Sequence, residues 1–207
     1  MKDTNSLGYV LFLAIVAGIG GFLFGYDTAV ISGTISAVTD QFGLNAMEQG
    51  WYVGCALTGS IFGVVVAGWL SDLLGRKKVM MLSALLFSIS ALGCALSFSF
   101  NSLVWFRIIG GIGIGMVSIV SPMYISEVAI ARFRGGLVAI YQLAITIGFL
   151  GAYLMNFQLL NFSTSGFETD SSYVSLIFQD EVWRGMLGME FLPAFLFLVI
   201  ILAIPES

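Results

Sequence analysis

The sequence predicts an all-α integral membrane protein of six transmembrane helices, arranged as two inverted three-helix repeats. Three observations carry that expectation. The 207 residues are 58% hydrophobic and only 10% charged, whereas ordinary soluble domains carry roughly 25% charged residues. About six apolar runs reach the ~20 residues needed to cross ~30 Å of hydrocarbon. The charges are also sorted: Arg76, Lys77, Lys78, Arg132 and Arg134 fall in two loops on one side, and Asp40, Glu48, Glu168, Asp170, Asp180 and Glu181 in the loops on the other. By the positive-inside rule the basic loops are cytoplasmic, which places both termini inside and sets the direction of every span.

Composition also excludes whole classes of function. There is no histidine, and the two cysteines, Cys55 and Cys94, sit singly in separate apolar runs. That leaves no metal spacing, no redox pair and no Ser-His dyad, so no enzyme activity, metal or cofactor is expected. The run Gly110 to Gly115 is not a dinucleotide loop, because it lies inside an apolar span without a preceding strand or a later acidic partner. No nucleic-acid partner is expected either.

The first span starts near Leu7 and is too long and too free of a cleavage pattern for a signal peptide, so it is retained. Gly21 and Gly25 form a small-xxx-small pair suited to close helix approach. If this helix continues to about Ile35, Asp27 lies in its outer third and needs a partner or water; if it ends at Tyr26, Asp27 sits at the interface. The second span, about Met47 to Leu70, carries Gly59 and Gly63 on a packing face. It leads into the charged segment Gly68 to Lys78, with Asp72 and Gly75-Arg76-Lys77, and the third span follows from about Val79 to Phe98.

A short turn around Asn101 opens the fourth span, which holds Arg107, the glycine run and, at its inner end, Pro122 to Glu127. Snorkelling to the headgroups is one account of Arg107. The fifth span, about Leu137 to Asn156, has Gln142 and Thr146 one turn apart, a pair that could equally be satisfied between helices. A polar outer loop is expected from about Phe157 to Glu181. The sixth span opens with Trp183-Arg184 as an interfacial anchor, contains Glu190 and closes at Pro205-Glu206-Ser207.

Counting from the outer ends at ~1.5 Å per residue places Arg107 and Glu190 roughly 10 Å deep, with Asp27 level with them if its helix ends near Ile35. One cation and two carboxylates leave one negative charge over, which makes the cluster a natural proton site. The alternative is three unrelated residues at three lipid interfaces. A faint internal echo, Gly21 and Gly25 standing opposite Gly111 and Gly115 in the first helices of the two proposed repeats, accompanies the six-span pattern.

Taken together, several segments resemble the sugar porter family of the major facilitator superfamily. They are Gly25-Tyr26-Asp27-Thr28, Gly68 to Lys77, Arg107 with its glycines, Pro122 to Glu127, Arg134-Gly135, Gln142, Trp183-Arg184 and Pro205-Glu206-Ser207. The resemblance covers essentially residues 1–207 but only the amino-terminal half of the family, the carboxy-terminal half being absent. It implies that Asp27 is the proton-binding carboxylate, Arg107 its ion partner and Glu190 the neighbour that tunes it. It implies sugar contacts from Phe24 and Gln142, and an inner charge network of Asp72, Arg76, Glu127 and Arg134 that latches the two halves. Two positions depart from the pattern: Phe149 stands where a second glutamine would fall, and Ile130 where proline is usual.

The function expected from the resemblance is half of a proton-coupled pentose or hexose symporter in the inner membrane, with sugar and proton as co-substrates. A facilitative carrier half is the first alternative, which the carboxylate at Asp27 argues against. The second is a non-transporting half-protein, a subunit or remnant. Either half-protein needs a carboxy-terminal half or a homodimer partner to cover its polar face in the bilayer.

Overall fold

The computed structural model describes residues 7–164 and 180–206. Its helices are α1 (Leu7–Phe42), α2 (Ala46–Leu74), α3 (Arg76–Ala95), α4 (Phe100–Val128), α5 (Arg134–Thr164), α6 (Val182–Gly188) and α7 (Phe191–Ile201). The last two together make the sixth span, so six spans among the described residues are long and apolar enough to cross a membrane. The turn that starts α2 is set by Asn45, whose side chain accepts the N–H groups of Met47 and Glu48 while Glu48 reaches back to the Asn45 N–H. Between α2 and α3 the whole connection is Gly75, at φ +94°, a conformation that a side chain would oppose.

Three spans differ from expectation. α1 does not stop at Tyr26 or Ile35 but runs to Phe42; the hydroxyls of Thr28, Ser32 and Thr34 are satisfied within it by carbonyls three or four residues back. α5 likewise continues through Phe157 to Thr164, a stretch expected as loop; the rest of that loop, to residue 179, lies outside the described residues. The sixth span is interrupted at Met189 and Glu190. Pro193 lacks an N–H for the Met189 carbonyl and its ring crowds that carbonyl, so Met189 accepts instead from Leu192 N at 3.2 Å.

The helices pack through glycine. A Cβ on Gly21 or Gly25 would fall on the backbone carbonyls of Tyr141 and Ile145 in α5, and one on Gly148 would fall on that of Phe22 in α1. In the other repeat, Gly111 and Gly115 of α4 press on the carbonyls of Ala56 and Ser60 in α2, and Gly59 and Gly63 answer against Ile108 and Ile112. The two glycine pairs of the internal echo therefore do not meet each other. Each clasps the second helix of the opposite repeat, so α1–α5 and α4–α2 are equivalent contacts, as a twofold relation between repeats requires.

Two apolar clusters fill the bundle. One, towards the end bearing Arg76 to Lys78, includes Leu23, Met80, Phe87, Tyr124 and Phe197; the other, towards the end bearing Asp40 and Glu48, includes Tyr26, Tyr52, Leu103 and Trp183. A side chain inserted at a glycine contact separates backbones across this core. Replacing Gly25 or Gly115 by Val should cost at least about 1–3 kcal/mol, read as a lower melting midpoint in detergent. At Gly54 an added Cβ meets no atom within 4 Å. Gly54→Ala should therefore leave the midpoint unchanged or raised, since Ala favours a helix over Gly by ~1 kcal/mol.

Candidate functional site

The seam between the two apolar clusters is polar. On α4, Arg107 lies between Leu103 of one cluster and Ile114 of the other; on the sixth span, Glu190 lies between Leu187 and Ala194. Asp27 meets them from α1. Arg107 Nη1 donates to Asp27 Oδ1 at 2.6 Å, with both side chains under 5% exposed. Glu190, also buried, faces Asp27 and Arg107 from the interruption in its helix. Snorkelling is thereby ruled out for Arg107, and the three residues form one site.

The site is incompletely satisfied. Arg107 Nε, Glu190 Oε1 and the Tyr26 hydroxyl are buried without a hydrogen-bond partner. Tyr52 of α2 faces the guanidinium and is held by a 2.7 Å hydroxyl–hydroxyl bond to Thr34. A buried cation with one direct carboxylate and a second close by is a charge arrangement that accommodates one more proton without a new residue.

Phe24 and Gln142 flank the α1–α5 contact. Gly21 and Gly25 face α5 squarely, so Phe24 and Thr28 fall to one side of α1; Tyr141 and Ile145 face α1, so Gln142, Thr146 and Phe149 fall to one side of α5. These sides coincide, because the opposite side is an apolar groove of about 450 Å³ lined by Ile15, Gly18, Phe22, Ile140, Leu143 and Ile147. Phe24 is partly buried, whereas Gln142, Thr28 and Thr146 are exposed. Both threonine hydroxyls donate to helix carbonyls, Thr28 to Phe24 at 2.7 Å and Thr146 to Gln142 at 3.2 Å, and keep lone pairs free as acceptors.

At the basic end, Arg76 links two helices: its Nη1 lies 3.2 Å from Asp72 and its Nη2 3.0 Å from Glu127. Arg134 stands exposed at the start of α5 and, among the described residues, makes no ion pair with these three. The member that sequence reasoning missed is Glu206. Its carboxylate accepts the N–H of Lys77 at 2.8 Å, covering the first turn of α3, and lies against Gly75, while the Tyr124 hydroxyl donates to the Pro205 carbonyl at 3.0 Å. In the sequence the Pro-Glu-Ser segment signals family membership only; its spacing carries no hint that it folds back 129 residues to a helix N-terminus.

Comparison with known proteins identifies the family and the fold. The model of the family described as "Sugar (and other) transporter" matches residues 13–207. The arabinose-proton symporter of Bacillus subtilis is 38% identical over 204 residues, covering 99% of this chain and 42% of that protein. The D-xylose transporter of Levilactobacillus brevis is 40% identical over 202 residues, covering 98% and 40%. The chain thus spans about two fifths of the length of these curated relatives. Among solved structures, the major facilitator proton:xylose symporter XylE bound to 6-bromo-6-deoxy-D-glucose gives a TM-score of 0.84 at 37% identity over 97% of this chain and 46% of that one. The inward-open form of the xylose transporter XylE from E. coli gives 0.83 at 37% identity, over 96% and 49%. Matched over nearly its whole length by a family model and by these relatives, the chain belongs to the sugar transporter family of the major facilitator superfamily.

Proposed function

We propose that this chain is the amino-terminal half of a proton-coupled symporter for a pentose or hexose, working by alternating access. The observation that carries the reading is the buried triad. One guanidinium cannot neutralise two carboxylates, so Asp27, Arg107 and Glu190 reach neutrality by taking up one proton. Sugar binds alongside, between α1 and α5, with the Phe24 ring on the apolar face of a pyranose and the Gln142 amide on its hydroxyls. Proton and sugar each complete part of the surface that the other half closes upon.

The basic end faces the cytoplasm of the inner membrane, and both termini with it, by the distribution of Arg76, Lys77, Lys78, Arg132 and Arg134. The Arg76 pairs with Asp72 and Glu127 hold α2 to α4 there and, with Arg134, meet the carboxy-terminal half in the outward-facing state. That half, the likeness to only 46% of XylE suggests, completes the substrate pathway.

Asp27→Asn should abolish accumulation of sugar against a gradient, and its sensitivity to a protonophore, while sugar exchange stays within about threefold of the parent. Accumulation retained in that variant overturns the proton assignment, and parent uptake indifferent to a protonophore makes the protein a facilitator. The buried pair has a separate signature in stability. Arg107→Leu alone should lower stability by about 3–5 kcal/mol, because it strands the buried carboxylates of Asp27 and Glu190, and the double change with Asp27→Leu, which leaves only Glu190 without its cation, should recover part of that loss in detergent melting.

A further inference from the structure

The sequence presents Arg184 as an interfacial anchor, yet it is 2% exposed. Its guanidinium donates to the carbonyls of Ala95, at 3.1 Å, and Ser97, and to the carboxylate of Glu181. The two carbonyls belong to the last residue of α3 and the turn after it, groups that a helix end leaves without partners. The rings of Trp183 and Phe98 flank the guanidinium at 4.6 and 5.0 Å.

The contacts close into a ring with α1. Trp183 Nε1 donates to Gln41 Oε1 at 2.5 Å, and Gln41 Nε2 donates to Glu181 Oε1 at 2.7 Å. Phe42 sets its edge on the Trp183 ring, with centroids 6.0 Å apart. One turn deeper, Gly188 rests on Ala95, where a Cβ would lie 3.0 Å from the alanine methyl. α6 is only seven residues long, so the bonds at its first turn, together with the packing of Met186 and Leu187, set its axial position. Glu190, six residues beyond Arg184 and about 9 Å along a helix, stands at its far end.

We propose that Arg184 is a positioning residue for proton coupling: by tying α6 to the end of α3 and, through Glu181 and Trp183, to Gln41 of α1, it sets where Glu190 stands relative to Asp27 and Arg107. The inference rests on the proton-coupling reading of the triad. A planar guanidinium is needed because three acceptors, two carbonyls and one carboxylate, lie around a single head; an ammonium offers no such fixed fork. The charged and titratable groups that face the triad are Asp27 and Tyr26 from α1, Tyr52 and Cys55 from α2, Cys94 from α3 and Arg107 from α4. None of them belongs to the outer ring, so a change at Arg184 reaches Glu190 through the backbone of α6.

The test measures the pH dependence of sugar exchange in vesicles containing the protein, with Arg184→Lys, Gln41→Ala and Asp27→Asn side by side. Arg184→Lys should displace the pH of half-maximal exchange by about one unit, a tenfold change in proton concentration, with the sugar KM at saturating protonation unchanged. Gln41 is exposed, and Gln41→Ala should move the profile by a smaller amount without threatening folding. Unmoved profiles in Gln41→Ala and in whatever Arg184→Lys protein reaches the membrane overturn the positioning role. If Asp27→Asn keeps the parent's pH profile and its accumulation, the proton-coupling reading itself falls.

Discussion

A guanidinium held in the apolar middle of a helix bundle is the constraint to which the remaining structure answers. Arg107 cannot neutralise itself by losing a proton, so the bundle has to bring it a carboxylate, and Asp27 does so at 2.6 Å. For that contact α1 must be helical through Asp27 and close to α4. Glu190, at the break in the sixth span, adds a second carboxylate at the same place. Buried charge in such a setting is costly, and the cost is tolerated where charge is meant to change.

Close approach of the surrounding helices comes from glycine rather than from polar bonds. The clasp of Gly25 on Ile145 and that of Gly115 on Ser60 bring backbones together on either side of the triad. They leave little freedom for α1 to slide on α5 or for α4 to slide on α2. The rigid part of the molecule is thus the first and second helices of each repeat. The sixth span is divided into α6 and α7. Arg184 and its ring hold the short half, and the packing of Ala194, Phe197 and Ile201 holds the other.

Much of this is legible in residue order. Hydropathy locates all six spans, and charge sorting separates the two ends, because both are sums over many residues. The triad's members are legible because ionisable residues are rare in apolar runs, but their common depth is not. With α1 running to Phe42, a count from its outer end puts Asp27 well below Arg107, and only the packing brings the two together. The overrun of α1 to Phe42 and of α5 to Thr164 is not legible, since polar residues at a helix end look the same whether or not the helix continues beyond the hydrocarbon. The break at Met189 depends on Pro193, whose effect falls four residues earlier than its position. Long-range contacts such as Glu206 with Lys77, or Arg184 with Ser97, have no local signature at all. Arg134, carried over from the resemblance, joins no ion pair of the inner network among the described residues, and nothing in its sequence neighbours says so.

A proton-binding triad has a purpose here only if sugar movement through the protein carries a proton. The most direct measurement is the external pH of a lightly buffered suspension of de-energised cells making the protein, recorded as a pentose or hexose is added. Inward symport predicts an immediate alkalinisation that a protonophore abolishes and that the Glu190→Gln variant alters. Sugar entry with no change in external pH would contradict it.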